Sequence, residues 1–294
     1  MENFENKLAV ITGAGDGMGR SLATQLTAAG CHVALCDLFE DSVSQTAELC
    51  AAGASNDVRI THHQCDVSSE SELLAFRDAA LAAHDSTHIN LLFNNAGVAG
   101  GGSMLQNDRA QWERTFNVCW GGVYLGVRTF MPALVAAKEA RIVNTSSVNG
   151  FWASLGPDVA HTSYSAAKFA VKGFTEALIT DLKLNAPHVE ASVVMPGHIG
   201  TGIAENSVAV HGREADAGIT ERAANFRNSA PMTADEAATV ILDGVRSRRW
   251  RILVGEDAHI LDIEVRADPE AAYDADFGER LAGAFSALTE NRSS

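Results

Sequence analysis

Positive charge is scarce in this sequence. The chain carries 22 Lys and Arg residues against 37 Asp and Glu residues, which gives a formal net charge of −15 at pH 7. Proteins that bind nucleic acids or anionic membranes usually do so through basic surfaces, because cations neutralise the phosphates. The composition therefore argues against both kinds of partner, and the acidic excess by itself identifies no other.

Paired cysteines, metal-ligand spacings and long apolar runs are also missing. No two of the 5 cysteines lie three positions apart, so there is no CxxC motif, and an odd, scattered set is more typical of a reducing cytosol than of a disulfide framework. The 10 histidines show no zinc-ligand spacing. No run approaches the roughly 18 apolar residues of a membrane span, and the acidic N-terminus does not resemble a signal peptide. We therefore expect a cytoplasmic protein without a bound metal.

What the sequence does contain is a regular alternation of short apolar runs and longer helical patterns, from residue 7 to about residue 255. The predicted strands are 7–11, 32–36, 58–64, 89–93, 141–145, 189–195 and 251–254. The predicted helices are 17–29, 39–52, 69–84, 108–137, 161–185 and 233–247. The strands are rich in Val, Ile and Leu, and their alternation with helices predicts the α/β class with a doubly wound parallel sheet. No linker or repeat divides residues 1–255, so we expect a single domain there.

Two segments interrupt that rhythm. Residues 202–231 are polar, have no clean period and follow the end of a predicted strand, where α/β folds bind ligands. They fit either a mobile lid over a substrate or a pair of surface helices. Residues 256–294 form a charged C-terminal extension with weak helical periodicity. This extension is expected to pack either on the domain or on a neighbouring subunit.

A glycine-rich turn lies between the first predicted strand and the first predicted helix. Glycines let the backbone turn tightly and approach a pyrophosphate, which is bound at the positive end of the helix dipole. The spacing is Gly-x-x-x-Gly-x-Gly, which differs from GxGxxG and lacks the GKS or GKT of a Walker loop. The strand–turn–helix context therefore predicts a dinucleotide-binding loop. Its predicted cofactor-binding residues are Gly13, Gly15, Asp16, Gly17, Met18 and Gly19.

Asp37 ends the second predicted strand, eighteen positions after Gly19. A carboxylate there can accept hydrogen bonds from the ribose hydroxyls of an adenosine, and it would repel a 2′-phosphate. Asp16 adds a second negative charge nearby, and Leu38 supplies no compensating cation. The alternative, that Asp37 merely caps the following helix, is weaker beside the glycine-rich loop. We therefore predict that Asp37 and Leu38 contact the cofactor and that NAD(H) is preferred over NADP(H).

Tyr164 and Lys168 lie four positions apart in a predicted helix, so their side chains share one face. A cation beside a phenol favours the phenolate and lowers the phenol's pKa from about 10. Such a group can give a proton to a ketone or take one from an alcohol. Alone the pair carries little weight, since Tyr and Lys at this spacing often share a solvated face. It gains weight from the dinucleotide loop and from a Ser just upstream.

Several motifs follow one another in a fixed order along the predicted strands. They are the loop at 12–19, Asp66-Val67, Asn94-Asn95-Ala96-Gly97, Ser146-Ser147, Tyr164-x-x-x-Lys168 and the run at 196–201. Each motif alone is modest, but six of them in this order are hard to obtain by chance. Over roughly residues 5–255 the chain resembles the short-chain dehydrogenase/reductase (SDR) family, which implies a Rossmann fold and a nicotinamide dinucleotide cofactor.

The resemblance implies a role for each catalytic residue. Tyr164 is expected to act as the general acid/base, Lys168 to lower its pKa and hold the nicotinamide ribose, and Ser147 to hydrogen-bond the substrate oxygen. Ser147 fits this role better than Ser146, because the family pattern is Ser-x-x-Gly and Gly150 follows Ser147 at that spacing. The further cofactor-binding residues that the resemblance implies are Asp66, Val67, Asn94, Ala96, Gly97, Tyr164, Lys168, Pro196, Gly197, Ile199 and Thr201.

The sequence departs from the family in two places. The family often has a catalytic Asn on the helix before the fifth strand, and here that place falls on Cys119, with Asn117 two positions earlier. A thiol is a poor hydrogen-bonding substitute, so either the proton relay is rearranged or proton exchange is slow. The stretch from Ser147 to Tyr164, seventeen positions, is also longer than usual.

Predicted substrate contacts come from this long stretch and from two histidines. Phe151, Trp152 and Leu155 offer an apolar, partly aromatic wall, although a packing loop explains Leu155 nearly as well. One histidine shares a helix face with Tyr164 and the other lies in the loop near the nicotinamide; each is expected either to touch substrate or to serve the local structure. The predicted substrate-binding residues are Ser147, Phe151, Trp152, His161 and His198.

These features predict an oxidoreductase that transfers a hydride between NAD(H) and an apolar secondary alcohol or ketone of steroid-like, terpenoid or aryl type. The NAD(H) preference favours oxidation, and carbonyl reduction in lipid or secondary metabolism is the second enzymatic hypothesis. An NAD(H)-binding sensor or scaffold without catalysis is the alternative from another class, and the intact Ser147, Tyr164 and Lys168 argue against it. The resemblance also implies a homo-oligomer, a tetramer or dimer built on the helices at 108–137 and 161–185.

Overall fold

A seven-stranded parallel sheet lies at the centre of the computed structural model, which describes residues 1–55, 57–100, 102–154, 159–212 and 217–291. The strands of this sheet are β1 (Leu8–Thr12), β2 (His32–Asp37), β3 (Ile60–Gln64), β4 (Leu91–Asn94), β5 (Ala140–Thr145), β6 (Val189–Pro196) and β9 (Arg251–Val254). The short strands β7 (Ile199–Gly200) and β8 (Met232–Thr233) pair with each other in a second sheet. The spatial order in the large sheet is β3-β2-β1-β4-β5-β6-β9.

Helices cover both faces of the large sheet. In chain order they are α1 (Gly17–Ala28), α2 (Glu40–Gly53), α3 (Glu70–Ala83), α4 (Arg109–Phe116), α5 (Gly122–Val135), α6 (Thr162–Asn185), α7 (Ile203–Val210), α8 (Ala217–Asn228), α9 (Ala234–Arg246), α10 (Glu256–Ala267) and α11 (Phe277–Asn291). Of these, α1, α2 and α9 pack on one face, and α3, α5 and α6 pack on the other. The predicted α/β class with a doubly wound parallel sheet is confirmed.

The two-sided burial of the sheet explains why its strands are apolar throughout. Successive side chains of a strand point to opposite faces. Val10 lies in the same core layer as Phe130 of α5, whereas its neighbour Ile11 lies in the layer that contains Leu22 of α1. Because helices cover both faces, both sets of side chains must be apolar, and this is why parallel strands could be recognised from the sequence.

The order of the strands opens a crevice beside β1. This strand pairs with β2 on one side and with β4 on the other, so the connections run away in opposite directions from this point. Ligands of open α/β sheets bind at such a switch point, outside the carboxyl ends of the strands. Thr12, the last residue of β1, is bonded to the β4 side, since its hydroxyl donates to the Phe93 carbonyl (3.4 Å). The same hydroxyl accepts from the Asn95 and Ala96 amides (3.1 Å each), which fixes the loop after β4 against β1.

The helix predicted over residues 108–137 is interrupted in the structure. A π-helical turn at Asn117–Gly121 separates α4 from α5, and such turns are frequent at functional sites. Beyond the turn, α5 approaches the sheet closely. A Cβ on Gly122 would lie 2.7 Å from the Val67 side chain, and a Cβ on Gly126 would lie 2.2 Å from the Asn94 side chain. The two glycines therefore let α5 pack directly against the segments that carry the site.

The stretch Arg109–Val135 is long and apolar enough to cross a membrane by length and composition alone, because it contains an 18-residue window with a mean hydropathy of 1.3. The expectation that no run of the chain approaches a membrane span is wrong on this point. However, 56% of the apolar window is buried inside the protein, and Phe130 and Leu134 belong to the core beneath the sheet. The core helix of a soluble protein has the same properties, so this stretch is weak evidence for a membrane span.

Two segments lie outside the sheet and its covering helices. Within residues 202–231, α7 and α8 pack together. The strand β8 that follows them pairs with β7, which precedes them, so the two ends of the segment lie side by side. In the C-terminal extension, α10 and α11 pack together with a 3₁₀ turn at Ala271–Tyr273. Apolar side chains of the extension, among them Leu261 and Phe277, form a cluster with Val148. The extension therefore contacts the segment that follows β5.

Candidate active site

A cleft opens at the carboxyl ends of the strands, at the switch point beside β1. Its walls come from the segments that follow six of the seven strands of the large sheet and from α7. The predicted site residues that line it are Gly13, Asp16, Gly17, Met18, Asp37, Leu38, Asp66, Val67, Ala96, Gly97, Ser147, Tyr164, Lys168, Pro196, Ile199 and Thr201. The fold thus gathers into one cleft motifs that are spread along most of the chain.

The glycine-rich loop of the cleft leaves no room for side chains. Gly13 and Gly17 have φ values of +64° and +53°, a left-handed conformation that favours glycine. A Cβ on Gly19 would lie 2.0 Å from the Gly13 carbonyl oxygen, and a Cβ on Gly15 would lie 2.9 Å from the Asp37 carboxylate. Gly15 and Gly19 therefore shape the loop from behind and do not line the cleft. The loop leads into the N-terminus of α1, where a pyrophosphate is favoured.

Asp37, at the end of β2, is held by two backbone amides. Its Oδ2 accepts from the Gly15 amide (2.9 Å) and its Oδ1 from the Phe39 amide (3.1 Å). Burial raises the pKa of Asp37, and the backbone hydrogen bonds act against this increase. A carboxylate has about four lone-pair sites, so Asp37 retains acceptor capacity for a donor in the cleft.

Asp66 lies next to Asp37, because β3 pairs with β2 and the two strands end side by side. The Cys65 amide, just after β3, donates to the Asp37 carbonyl (2.8 Å). Asp66 Oδ2 accepts from Arg114 Nη1 (2.7 Å). Its Oδ1 accepts from the amide and the hydroxyl of Ser68 (2.9 and 2.7 Å). Although burial raises it, the bonds from Ser68 and Arg114 bring the pKa of Asp66 below its usual value. Arg114 also lines the cleft, and no sequence motif had identified it.

The side chain of Asn94, a residue predicted to bind the cofactor, is buried behind the cleft. Asn94 is the last residue of β4; its side chain is buried, donates to Asn144 Oδ1 (2.8 Å) and does not line the cleft. The next residue, Asn95, lines the cleft and donates through Nδ2 to the Thr12 and Gly13 carbonyls (3.1 Å each). Because neighbouring side chains at a strand end point in opposite directions, one position separates the buried role from the cleft-facing role.

Ser147, Tyr164 and Lys168 meet in the part of the cleft that lies beside β5. Lys168 Nζ donates to the Thr145 carbonyl (2.9 Å) and lies 5.3 Å from the centre of the Tyr164 ring. Ser147 Oγ accepts from the backbone amide two residues later (3.2 Å), so its own proton is available for another acceptor. Ser146 Oγ donates to the Lys168 carbonyl (2.7 Å) and fastens α6 to β5, the structural role expected for it.

Burial controls the pKa values of this group. It raises the pKa of Tyr164 above its ordinary value, the nearby Cys119 adds to the increase, and a hydrogen bond with Ser147 opposes it. Burial also lowers the pKa of Lys168, and Cys119 opposes that decrease. The predicted lowering of the Tyr164 pKa by Lys168 is therefore wrong for this structure, because desolvation disfavours the phenolate more than its neighbours stabilise it. The neutral phenol, a proton donor, is the favoured form.

Cys119 lies in the π turn and is buried, whereas Asn117 is exposed. Cys119 Sγ lies 3.4 Å from the Val98 amide nitrogen and 3.2 Å from the Val98 carbonyl oxygen, so one side chain bridges both polar groups of that residue. A Cβ on Gly97 would lie 3.5 Å from Lys168 Nζ and 3.8 Å from Cys119 Sγ. Of the two candidates, the structure therefore brings Cys119, and not Asn117, close to Lys168.

Replacing Cys119 by Asn is expected to raise kcat by about three- to tenfold, because an amide donates and accepts stronger hydrogen bonds than a thiol does. The matched variant Asn117→Ala is expected to change kcat by less than about twofold, since position 117 is exposed. Steady-state kinetics at saturating cofactor would measure both. Unchanged turnover in Cys119→Asn together with lost turnover in Asn117→Ala would assign the role to Asn117 instead.

The predicted aromatic wall faces the C-terminal extension and does not line the cleft. Phe151 and Trp152 are not among the described residues around the cleft. Trp152 Nε1 donates to the Ala272 carbonyl (2.8 Å), and its ring centre lies 5.3 Å from that of Phe277. Both aromatic residues pack on the apolar cluster of the extension, because that cluster covers the segment after β5. Leu155, the third residue of the predicted wall, lies outside the described residues.

His161 and His198 likewise have local partners and are absent from the described lining of the cleft. The centre of the His161 ring lies 4.8 Å from that of Tyr164, and burial lowers the pKa of His161 to about 4. The His198 amide donates to Asp257 Oδ2 (2.6 Å), and its ring Nε2 bonds to the Phe226 carbonyl (2.7 Å). His198 therefore joins the segment after β6 to α10 and α8. Its neighbour Gly197, predicted to bind the cofactor, also lies behind the cleft, where a Cβ would meet the Asp257 carboxylate.

A set of apolar side chains lines the cleft without having been identified from the sequence. They are Val98, Val118, Ile203 and Val210. Two of them belong to α7, which is fastened over the cleft at both sides: Ser207 Oγ accepts from the Ala99 amide (2.8 Å). On the other side, Asn206 Nδ2 of α7 and Arg227 Nη2 of the neighbouring helix α8 contact Asp16 Oδ2 (3.3 and 3.4 Å). The place of this segment after a strand had indicated a lid as one of two alternatives, but no motif or clear period identified these side chains.

The sheet order, the glycine-rich loop and the Ser, Tyr and Lys side chains in one cleft define an enzyme of the Rossmann class. A model of the short chain dehydrogenase family matches residues 7–211. The chain therefore belongs to the short-chain dehydrogenase/reductase family and is an oxidoreductase of that family. The resemblance that the motifs indicated is confirmed.

Individual relatives extend the similarity beyond the matched region. SadH of Mycobacterium tuberculosis is 34% identical over 268 residues, which cover 90% of this chain and 92% of SadH. A 3-alpha-(or 20-beta)-hydroxysteroid dehydrogenase of the same organism is 31% identical over 195 residues, which cover 66% of this chain and 70% of that protein. A short-chain dehydrogenase/reductase of Burkholderia phymatum, solved in complex with NAD, aligns with a TM-score of 0.81 at 32% identity, covering 94% of this chain and 98% of that chain.

Proposed function

We propose that the protein is an NAD(H)-dependent oxidoreductase that interconverts an apolar secondary alcohol and the corresponding ketone. The observation that carries the proposal is the meeting of Ser147, Tyr164 and Lys168 in the same cleft as the glycine-rich loop and Asp37. A proton-exchanging group and a dinucleotide-binding loop in one cleft are what hydride transfer to or from a carbonyl carbon requires.

The residues around the cleft fit a nicotinamide dinucleotide. The glycine-rich loop gives the backbone close approach at the N-terminus of α1, and a Cβ on Gly13 would lie 2.7 Å from the Ala96 backbone. The Asp37 carboxylate has acceptor capacity for the ribose hydroxyls. Ile199 and Thr201 line the cleft, and we propose that they hold the carboxamide. The bound NAD of the Burkholderia phymatum relative supports the choice of NAD(H).

In the proposed reaction, NAD(H) supplies or accepts the hydride, and the side chains of this chain handle the proton and the orientation of the substrate. Tyr164 exchanges a proton with the substrate oxygen through its phenolic group. Ser147 donates its hydroxyl proton to the same oxygen, which orients the substrate. Lys168, held by the Thr145 carbonyl, places its ammonium beside the ring of Tyr164 and binds the nicotinamide ribose.

An apolar substrate is favoured by the walls of the cleft. Val98, Val118 and two side chains of α7 line it, and these are buried or half-buried. Among the described lining residues the cations are Arg114, which is bound to Asp66, and Lys168, which is bound to a backbone carbonyl. Neither is arranged as a clamp for a carboxylate or phosphate substrate. The similarity to a hydroxysteroid dehydrogenase supports a steroid-like alcohol, and terpenoid and aryl alcohols share the same chemistry.

We also propose a role for each peripheral element. Residues 202–231 act as a lid, because α7 covers the cleft and contacts both Asp16 and the loop after β4. Residues 1–255 form the catalytic domain, and the C-terminal extension supports the segment that follows Ser147. The exposed side chains of Tyr124, Phe169 and Leu184 on α5 and α6 support a dimer or tetramer built on these helices. The compartment that fits this composition is the cytoplasm.

The proposal is tested by following the formation of reduced nicotinamide with NAD and, separately, with NADP, over a panel of apolar secondary alcohols. We expect turnover with NAD and little with NADP, because the Asp37 carboxylate repels a 2′-phosphate. The matching ketones with NADH would measure the reverse direction. Tight NADH binding without turnover in either direction would contradict the enzymatic proposal and favour a non-catalytic sensor or scaffold.

A further inference from the structure

Arg114 makes contacts in the cleft that the proposed reaction does not require. Its Nη1 donates both to Asp66 Oδ2 (2.7 Å) and to Ser68 Oγ (2.8 Å). The two charged side chains are largely covered, with 27% of Arg114 and 22% of Asp66 exposed. Both residues line the cleft next to Asp37, where the adenosine of the proposed cofactor is expected. The contacts therefore lie within reach of the base.

Counting acceptor sites shows how Asp66 is limited by its neighbours. A carboxylate has about four lone-pair sites, two on each oxygen. Ser68 fills both sites of Oδ1 with its amide and hydroxyl, and Arg114 fills one site of Oδ2. One acceptor site on Oδ2 is left. Arg114 contacts Asp66 and Ser68 with the same nitrogen, and Ser68 is itself bonded to Asp66. Arg114 therefore fixes the rotation of the Asp66 carboxylate, and this rotation determines the direction of the remaining acceptor site.

We propose that Arg114 is a positioning residue on which the base specificity of the dinucleotide site depends: it holds Asp66 so that one acceptor site of Oδ2 meets the exocyclic amine of adenine. The proposal rests on the NAD(H)-dependent function proposed above. A purine with a carbonyl at the same position, such as hypoxanthine, would place an acceptor against the carboxylate. The cluster of Asp66, Ser68 and Arg114 therefore selects 6-amino over 6-oxo purine dinucleotides.

The test compares the dissociation constants of NADH and of reduced nicotinamide hypoxanthine dinucleotide, measured by nicotinamide fluorescence. The full-length protein is expected to bind NADH at least about tenfold more tightly, as one hydrogen bond to a charged group implies. In Arg114→Gln this preference is expected to fall to within about twofold, since the carboxylate is no longer held. A residue that serves only to stabilise the fold would weaken both ligands alike and leave their ratio unchanged.

Two further variants make the result specific. Arg114→Lys keeps the positive charge but not the planar guanidinium, so an intermediate ratio is expected, and this variant carries the test should Arg114→Gln fail to fold. Arg109→Gln, on an exposed position of the same helix where Arg109 pairs with Glu113, is expected to keep the wild-type ratio. It controls for a loss of positive charge on α4.

Three outcomes would overturn the inference. They are equal binding of the two dinucleotides by the wild type, an unchanged ratio in Arg114→Gln and Arg114→Lys, and a ratio that rises in Arg114→Gln. The last result would mean that the guanidinium itself faces the base and favours the carbonyl. Failure of the wild type to bind NADH at all is a different result, which would contradict the proposed function as a whole.

Discussion

Replacing Tyr164 by Phe is expected to lower kcat by about 10²- to 10⁴-fold, the usual contribution of a positioned acid or base. The phenolic oxygen is the atom that exchanges the proton with the substrate, and Phe keeps the ring but removes that oxygen. The ring contacts with His161 and with the Lys168 ammonium remain, so the shape of the cleft is retained. The dissociation constant of NADH is therefore expected to change by less than about threefold. Stopped-flow or steady-state assays and a fluorescence titration would measure the two quantities.

Tyr124→Phe is the matched control for this substitution. Tyr124 lies on α5 with 41% of its surface exposed and packs against Trp120 and Phe174, so its hydroxyl is remote from the proposed chemistry. Its kcat is expected to equal that of the wild type. If Tyr164→Phe retained more than about a tenth of wild-type kcat, a proton donor other than Tyr164 would have to serve the substrate oxygen.

The sequence predicted the sheet well because the burial of parallel strands is visible in single residues. The run of the first strand is apolar on both faces, and Val10 and Ile11 indeed lie in opposite core layers. The interruption of the helix predicted at 108–137 was not predictable in this way. Val118 and Cys119 in the π turn are apolar, as are Val123 and Val127 of α5, so one inserted residue does not break the run of hydrophobicity.

The positions of site residues could be predicted where a local motif fixes the backbone. They could not be predicted where elements distant in sequence pack against the residue. Tyr164 and Lys168 line the cleft because four residues of helix place them on one face. Phe151 and Trp152 do not line it, because helices more than 100 positions later cover them and provide the Ala272 carbonyl as a partner. Sequence spacing carries no information on such a contact.

The pKa of Tyr164 could not be derived from its helical neighbour alone. The i, i+4 spacing correctly places Lys168 beside the phenol, at 5.3 Å from the ring centre. Burial of the phenol raises the pKa of Tyr164, and a charge interaction with Cys119 in the π turn adds to the increase. Tertiary burial therefore decides the direction of the shift, and the sequence does not show the extent of burial at one side chain.

The double substitution Asp37→Ser with Leu38→Arg is expected to change the ratio of kcat/KM for NADP to that for NAD by about 10²-fold or more. The carboxylate that repels a 2′-phosphate is removed, and a guanidinium that binds phosphate is introduced beside it. Ser is preferred to Ala at position 37, because the wild-type carboxylate also accepts from the Gly15 amide and the loop needs an acceptor there. Initial rates with each cofactor at a fixed alcohol concentration would measure the ratio.

Asp41→Ser separates a local contact from a general loss of negative charge. Asp41 lies in the first turn of α2, is exposed and is close in sequence to Asp37, so its removal takes away one negative charge, as the loss of Asp37 does, without touching the Asp37 carboxylate. It is expected to alter the cofactor ratio by less than about twofold, because exposed charges at longer range are screened by salt. If the double variant kept the wild-type preference for NAD, the ribose would have to be recognised by groups other than Asp37. If Asp41→Ser changed the ratio as strongly, the preference would depend on the overall acidity of the protein and not on two hydrogen-bond acceptors held by Gly15 and Phe39.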